Sequence, residues 1–188
     1  VDESLQVIEE EADRLAIYIE NLLDATRLQA NSFSLKRTDI QLATVIERVA
    51  ERLQTQTSTH QIVSNVEPDL PVIVADEIRI NQLISNLVSN SIKYAPKGKI
   101  EISAETHGDN IVVCVSDEGS GISPSDAPFV FDRFYRSPDA TKQTKGAGLG
   151  LYLAKAIVES HGGRIWIDHE KGKGACVCFS LPIGEKEQ

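Results

Sequence analysis

The chain predicts an α+β fold, a two-layer α/β sandwich in which a mixed sheet carries helices on one face, preceded by a long N-terminal helix. Three observations carry that prediction. Stretches with 3.6-residue apolar spacing and stretches with two-residue alternation interleave without the strict strand–helix–strand rhythm of a parallel sheet. Residues 1 to about 30 run as one helical pattern with few breakers. An apolar fraction of 41% over 188 residues suffices for one good-sized core and an appendage.

The elements follow in order. Leu5, Ile8, Ala12, Leu15, Ile19, Leu22 and Thr26 are spaced alternately three and four apart, a heptad seam with acidic residues on the other faces. The seam is too narrow for a helix sunk in a large core, so it predicts packing against one or two partner helices; docking on its own domain is the alternative. Asn31-Ser32 ends the pattern. Phe33 to Thr38 alternates like a short strand, and Leu42 to Leu53 returns to helical spacing. Gln61 to Val66 and Val72 to Ala75 read as strands around Pro68 and Pro71. A helix over Asp76 to Tyr94 is followed by strands Lys99 to Thr106 and Asn110 to Asp117, joined by a turn at His107 to Asn110. A loop-rich segment extends to about Gly146, and a helix over Leu149 to Ser160 ends at His161-Gly-Gly, as a glycine cap requires. Strands Arg164 to His169 and Ala175 to Leu181 close the chain around Gly172-Lys-Gly174. Trp166, opposite in parity to Ile165 and Ile167, is expected on the outer sheet face.

Composition excludes several functions. A net charge of −9 argues against nucleic acid or an anionic membrane as the main partner. No apolar run approaches the roughly 20 residues that span a bilayer, and nothing resembles a signal peptide. Without Met, and starting mid-pattern at Val1, the chain reads as a piece of something longer. Cys114, Cys176 and Cys178 all fall in apolar strand-like runs, with Cys176 and Cys178 on the same side of a strand. They are expected to be buried, reduced, structural thiols of a cytosolic protein.

The helix from Asp76 to Tyr94 has two faces. Ile80, Leu83, Ile84, Leu87 and Val88 form the apolar stripe, and Arg79, Gln82, Asn86, Asn90 and Lys93 line the other side. Asp76 suits the N-cap, while Pro96 and Gly98 stop the helix. Asn is a mediocre helix former, so two of them four apart ask for a reason. An amide oxygen is a hard ligand for Mg2+ that adds no negative charge beside a triphosphate, and Lys93 one turn on could meet phosphate. A merely solvated face remains the alternative.

Asp117-Glu-Gly-Ser-Gly-Ile122 ends a strand with a carboxylate beside two glycines. Such a carboxylate can accept from the adenine six-amino group and would repel the guanine carbonyl; a plain Asp-Gly turn is the alternative. Phe131-Asp-Arg-Phe134 could anchor one end of the loop that runs on from Arg136, or serve as a hydrophobic clip. Glycines 146, 148 and 150 precede the last helix, whose N-terminal amides suit an anion. That pattern follows no strand of a βαβ unit and is not a P-loop, so both of those readings fail.

Taken together and in this order, the motifs resemble those of the ATP-binding catalytic domain of two-component sensor histidine kinases, in the GHKL ATPase superfamily. Asn86-Leu-Val-Ser-Asn90-Ser-Ile-Lys93-Tyr94 is similar to the N box, Asp117 to Ile122 to the G1 box, Phe131 to Phe134 to the F box, and Gly146-Ala-Gly-Leu-Gly150 to the G2 box. Arg14 to Leu28 resembles the second helix of the dimerisation and phosphotransfer domain. The resemblance implies a partial phosphotransfer domain over residues 1–31 and a catalytic domain over 32–188. It implies ATP and Mg2+ as cofactors, with Asn90 holding the metal and Asn86 supporting it. Lys93, Arg136 and Lys145 would meet phosphates, and Tyr94 would pack on the adenine side. Asp117 would read the adenine amine, with Gly119, Gly121 and Ile122 lining the base pocket and Phe131 and Phe134 bordering the site. Gly146, Gly148, Leu149 and Gly150 would let a lid close. Asn86, Asn90 and Lys93 would be the catalytic set.

One departure matters. The family's phosphoacceptor His lies on a first bundle helix. His60 and His107 are expected in turns, His161 at a helix cap and His169 at a strand end, and none has that context. The implied partners are therefore an upstream helix carrying the acceptor His, a response regulator, and a second copy of the full-length protein. Neither nucleic acid nor direct membrane contact is expected. The implied location is cytoplasmic, with any membrane anchor elsewhere in the parent protein. An anti-sigma-type serine kinase of the same superfamily, or a non-catalytic nucleotide- or partner-binding module, are the rival readings.

Overall fold

The computed structural model describes residues 12, 15, 16, 19, 21–26, 34–137, 147–170 and 172–184. In chain order the elements are β1 (Thr38–Ile40), α1 (Leu42–Gln54), β2 (His60–Val66), β3 (Ile73–Ala75), α2 (Glu77–Tyr94), β4 (Gly98–His107), β5 (Asn110–Asp117), α3 (Gly150–Ser160), β6 (Arg164–Ile167) and β7 (Cys176–Pro182). Five strands form a sheet in the order β2-β4-β5-β7-β6. Only β2 and β4 are parallel; the other neighbours in this sheet are antiparallel, so it is mixed, as the sequence predicts.

Strand parity builds the core. Ile100, Ile102 and Ala104 of β4, Ile111, Val113 and Val115 of β5, and Val177, Phe179 and Leu181 of β7 all point to one face and are buried. The apolar stripes of α1, α2 and α3 cover that face, and Ile80, Leu83, Ile84, Leu87 and Val88 of α2 are buried as their spacing requires. Each such side chain contributes roughly 1.5–3 kcal/mol when withdrawn from water. None of the described helices is long and apolar enough to cross a membrane.

Several boundaries differ from expectation. Residues 34–37 are not extended into a strand; β1 starts at Thr38 and pairs antiparallel with β3, outside the main sheet. His60 lies not in a turn but at the start of β2, buried, with Nε2 3.1 Å from the Ala95 carbonyl oxygen. His107 is the last residue of β4 rather than part of the turn. The cysteine expectation is also corrected. Register places Cys114 of β5 directly opposite Cys178 of β7, and the two form a disulfide.

One hydrogen bond joins the start of α2 to the end of α3. Asp76 caps α2, accepting from the Arg79 amide at 3.2 Å and the Lys36 amide at 2.8 Å. The Asp76 amide donates to His161 Nε2 at 3.0 Å, while His161 Nδ1 lies 2.8 Å from the Ile157 carbonyl oxygen. His161 is thus neutral and buried at the end of α3, and the hydrogen bond from Asp76 would be lost on protonation. Burial holds its imidazole below the usual histidine range, the Ile157 carbonyl pulling the other way. With the folded value lowered, the native state binds fewer protons than the unfolded chain once pH drops below about 6.5. The stability is full above that pH and is lost as pH falls through the folded value. Urea unfolding at stepped pH values should show this acid loss in the wild type and a flatter profile in His161→Gln.

Gly163, just before β6, packs so closely on β7 that a methyl group there would run into the Ser180 carbonyl oxygen. Gly163→Ala is expected to destabilise the fold by about 1–3 kcal/mol through overpacking, read as a lower thermal midpoint.

Candidate functional site

The site is built around α2. Asn86 and Asn90, one turn apart, lie on the same side of the helix, away from the buried stripe. A methyl group on Gly150 would sit 3.7 Å from Asn90 Nδ2 and 3.8 Å from its Oδ1, so the Asn90 amide faces the first residue of α3 across bare backbone. Among the described residues Asn86 Nδ2 is buried without a hydrogen-bond partner. A buried unmatched donor is penalised unless something fills the position, and here it lies one turn from Asn90.

The other end of α2 meets the strand-end carboxylate. Asp117 shares the parity of Ile111, Val113 and Val115, so it points to the helix side and is buried. Its Oδ1 accepts from the Gly119 amide at 2.9 Å and the Ala175 amide at 3.1 Å. Among the described residues Oδ2 is left to meet a donor. Gly119 lies against Ala95, the residue that ends α2; a methyl group there would be 3.1 Å from Ala95 Cα. Gly121 has φ +79°, and a side chain on it would press on the Gly174 carbonyl oxygen at 2.9 Å. Ile122 packs against the core. Lys93 and Tyr94 stand at this same end, with Lys93 Nζ 5.1 Å from the Tyr94 ring centroid.

The loop after Ile122 returns to α3. Phe131 packs against the core, whereas Phe134 is exposed, with the Arg133 guanidinium 4.6 Å above its ring. Both Phe134 (φ +64°) and Gly148 (φ +69°) adopt left-handed backbone, and the Phe134 amide donates to the Gly148 carbonyl at 3.0 Å. This contact brings the phenylalanine motif to the glycine motif. Of the two aromatic anchors expected from the sequence, only Phe131 is inserted. Arg136 is half-buried and follows directly. Leu149 is buried against Ala25 and Leu153. Lys145 and Gly146 lie outside the described residues.

Three contributions were not legible in the sequence. The Ala175 amide and the Ala95 backbone act through the main chain, which no side-chain pattern announces. Asp24 is buried and accepts from Arg79 Nη1 at 2.6 Å and Gln82 Nε2 at 3.1 Å. It docks the N-terminal helical segment on the polar face of α2. In that segment Leu15, Ile19 and Leu22 of the heptad seam stay exposed, while Leu5 and Ile8 lie outside the described residues.

A cavity of about 690 Å3 is lined by Asp117, Gly119, Gly121 and Ile122 together with residues of the sheet face turned away from the helices, among them Lys99, Glu101 and Cys176. Neither Asn86 nor Asn90 lines it.

Comparison with known proteins decides the family. The profile of the histidine kinase-, DNA gyrase B-, and HSP90-like ATPase family matches residues 75–185. The chain belongs to this ATPase family. The match includes α2, the Asp117 loop and α3. The chain is 33% identical to the sensor histidine kinase WalK of Bacillus subtilis over 98% of its length, covering 31% of that protein. It is 32% identical to the adaptive-response sensory kinase SasA of Synechococcus elongatus over 88% of its length, covering 43% of that relative. It therefore spans less than half of these curated relatives. Among solved structures, full-length ShkA in complex with AMPPNP superposes with a TM-score of 0.83 at 26% identity, over 95% of this chain and 38% of that one. The mycobacterial sensor histidine kinase MprB superposes at 0.66 and 26% identity, over 79% of this chain and 97% of that one. These ATPase relatives share the mixed sheet and its covering helices.

Proposed function

We propose that this chain is the ATP-binding catalytic part of a sensor histidine kinase. It passes the ATP γ-phosphoryl to a His on an upstream helix, for relay to a response-regulator aspartate. Residues 1–31 belong to the second helix of the dimerisation and phosphotransfer domain in this reading, and 32–188 form the catalytic domain. The observation that carries it is the span of α2: its Asn90 amide faces the glycine start of α3, and its C-terminal end abuts the Gly119 turn beside Asp117. One helix thus reaches both the glycine start of α3 and the turn that carries Asp117.

The donor set fits a nucleotide with Mg2+. Asn90 offers a neutral hard oxygen, Gly150 leaves the approach open, and the unmatched Asn86 Nδ2 fits a phosphate oxygen. Mg2+ held there by Asn90, with Asn86 in support, would neutralise phosphate charge when bound. Asp117 Oδ2 accepts from the adenine amino group, while Gly119, Gly121 and Ile122 border the ring and Tyr94 flanks it. Lys93, Arg136 and Lys145 meet phosphate oxygens, and the N-terminal amides of α3 add a partial positive charge. Gly146, Gly148, Leu149 and Gly150 shape the lid, braced by Phe131 and Phe134. In the transfer the bond from the γ-phosphorus to the bridging oxygen breaks, ADP leaves, and a phosphorus–nitrogen bond forms to the imidazole. The protein supplies position and charge rather than covalent chemistry.

Relatives that are sensor kinases, and the AMPPNP complex of ShkA, support this reading. So does the exposed seam of the N-terminal segment, which suits a bundle formed with a second copy. The parent protein keeps this part in the cytoplasm. The test mixes the chain, a separately made upstream helical hairpin and labelled ATP with Mg2+. Label on the hairpin, stable in alkali and lost in acid, is the expected result. Acid-stable label would indicate a serine kinase, and no label would overturn the kinase reading.

A further inference from the structure

The sheet face turned away from the helices carries all three cysteines of the chain. Register sets Cys114 opposite Cys178 and Ser116 opposite Cys176, so strand parity aims all three thiols to one side. Their Sγ atoms lie within 4.8 Å of one another, with Cys176 and Cys178 at 3.7 Å. Cys176 and Cys178 are buried, Cys114 is half-buried, and Trp166 faces Cys178 across the β6–β7 pair. The 690 Å3 cavity reaches this cluster, for Cys176 forms part of its wall together with Lys99 and Lys173. A cross-strand bridge needs two sulfurs, and here a third converges on it.

We propose that, once the Cys114–Cys178 bridge is reduced, the three cysteines bind a soft, three-coordinate metal ion of the Cu(I) class. This goes beyond the kinase reading: none of the three ligands is a nucleotide-binding residue, although Asp117, Gly119, Gly121 and Ile122 share the cavity wall. Thiolates select soft ions, and three sulfurs this close together can meet one ion. A structural zinc site takes four protein ligands, and the described cluster supplies three. The cavity is the entry path. Opening the bridge consumes two molecules of a monothiol reductant, giving two cysteine thiols and one reductant disulfide. Cu(I) entry then releases thiol protons to solvent. In the bridged state two of the three sulfurs are tied to each other, so oxidation closes the site.

The test titrates the whole chain with Cu(I) against a chromophoric chelator, anaerobically, before and after reduction. The expected result is one Cu(I) retained per chain by the reduced protein, none by the bridged protein, and X-ray absorption showing sulfur-only coordination by three ligands. Each of Cys114→Ser, Cys176→Ser and Cys178→Ser should lower affinity at least about tenfold. The contrast between reduced and bridged wild type needs no variant and stands even if a serine variant fails to fold. Failure of the reduced wild type to retain Cu(I), equal retention by the bridged form, or retention unchanged in Cys176→Ser would overturn the proposal.

Discussion

Asn90→Ala is expected to lower phosphoryl transfer to the upstream hairpin by about 10^3-fold, the scale seen when one preorganised electrostatic group is removed from a transferring site. The fold should not pay for it. Among the described residues the Asn90 side chain makes no hydrogen bond, it is only half-buried, and alanine is the better helix former. The thermal midpoint should therefore hold or rise slightly while activity collapses. That split separates a functional amide from a solvated helix face, because a solvated face would lose neither property. Asn90→Asp sharpens the test. It keeps a hard oxygen but adds a negative charge where the proposal would put the triphosphate, so it should also fail to restore wild-type transfer. Wild-type transfer in Asn90→Ala would remove the metal-holding role. A large drop in thermal midpoint would make the residue structural.

The parts of this chain that repeat a period were readable from the sequence, and the parts set by long-range register were not. Helix α2 runs for 18 residues, enough turns for its stripe to declare itself, and every residue assigned to that stripe is buried. Asp117 was readable because it continues the odd parity of Ile111, Val113 and Val115 to the strand end. Strand β1 has three residues, too few to show alternation, and the alternating run ahead of it misled. The disulfide joins residues 64 apart, and their opposition depends on how β5 and β7 align, which neither strand encodes alone. His60 reads as a turn residue from its neighbours alone, for the contact that buries it, with the Ala95 carbonyl, comes from 35 positions away. The docking of Asp24 on Arg79 and Gln82 is of the same kind: an acidic residue on an acidic helix gives no sign that it will be buried.

Asp117→Asn is expected to weaken ATP binding by about 100-fold, the scale of a charge-assisted hydrogen bond lost together with a new mismatch. Asparagine is nearly isosteric, and its carbonyl oxygen can keep both bonds that Oδ1 now accepts, from Gly119 and Ala175. The loop should therefore stay in place, which a similar urea midpoint would verify. What changes is the second position. Where Oδ2 would offer an acceptor to the adenine amino group in the proposed pose, the variant would offer an amide donor, and two donors would face each other. The guanine carbonyl is an acceptor and would meet that donor, so the same substitution should narrow the gap between GTP and ATP even as ATP weakens. Calorimetric titration of both nucleotides, with Mg2+ present, reads the two shifts independently. A uniform loss for ATP and GTP would point to a collapsed loop. Unchanged ATP affinity would mean that the buried carboxylate serves only Gly119 and Ala175, and that the base is recognised elsewhere.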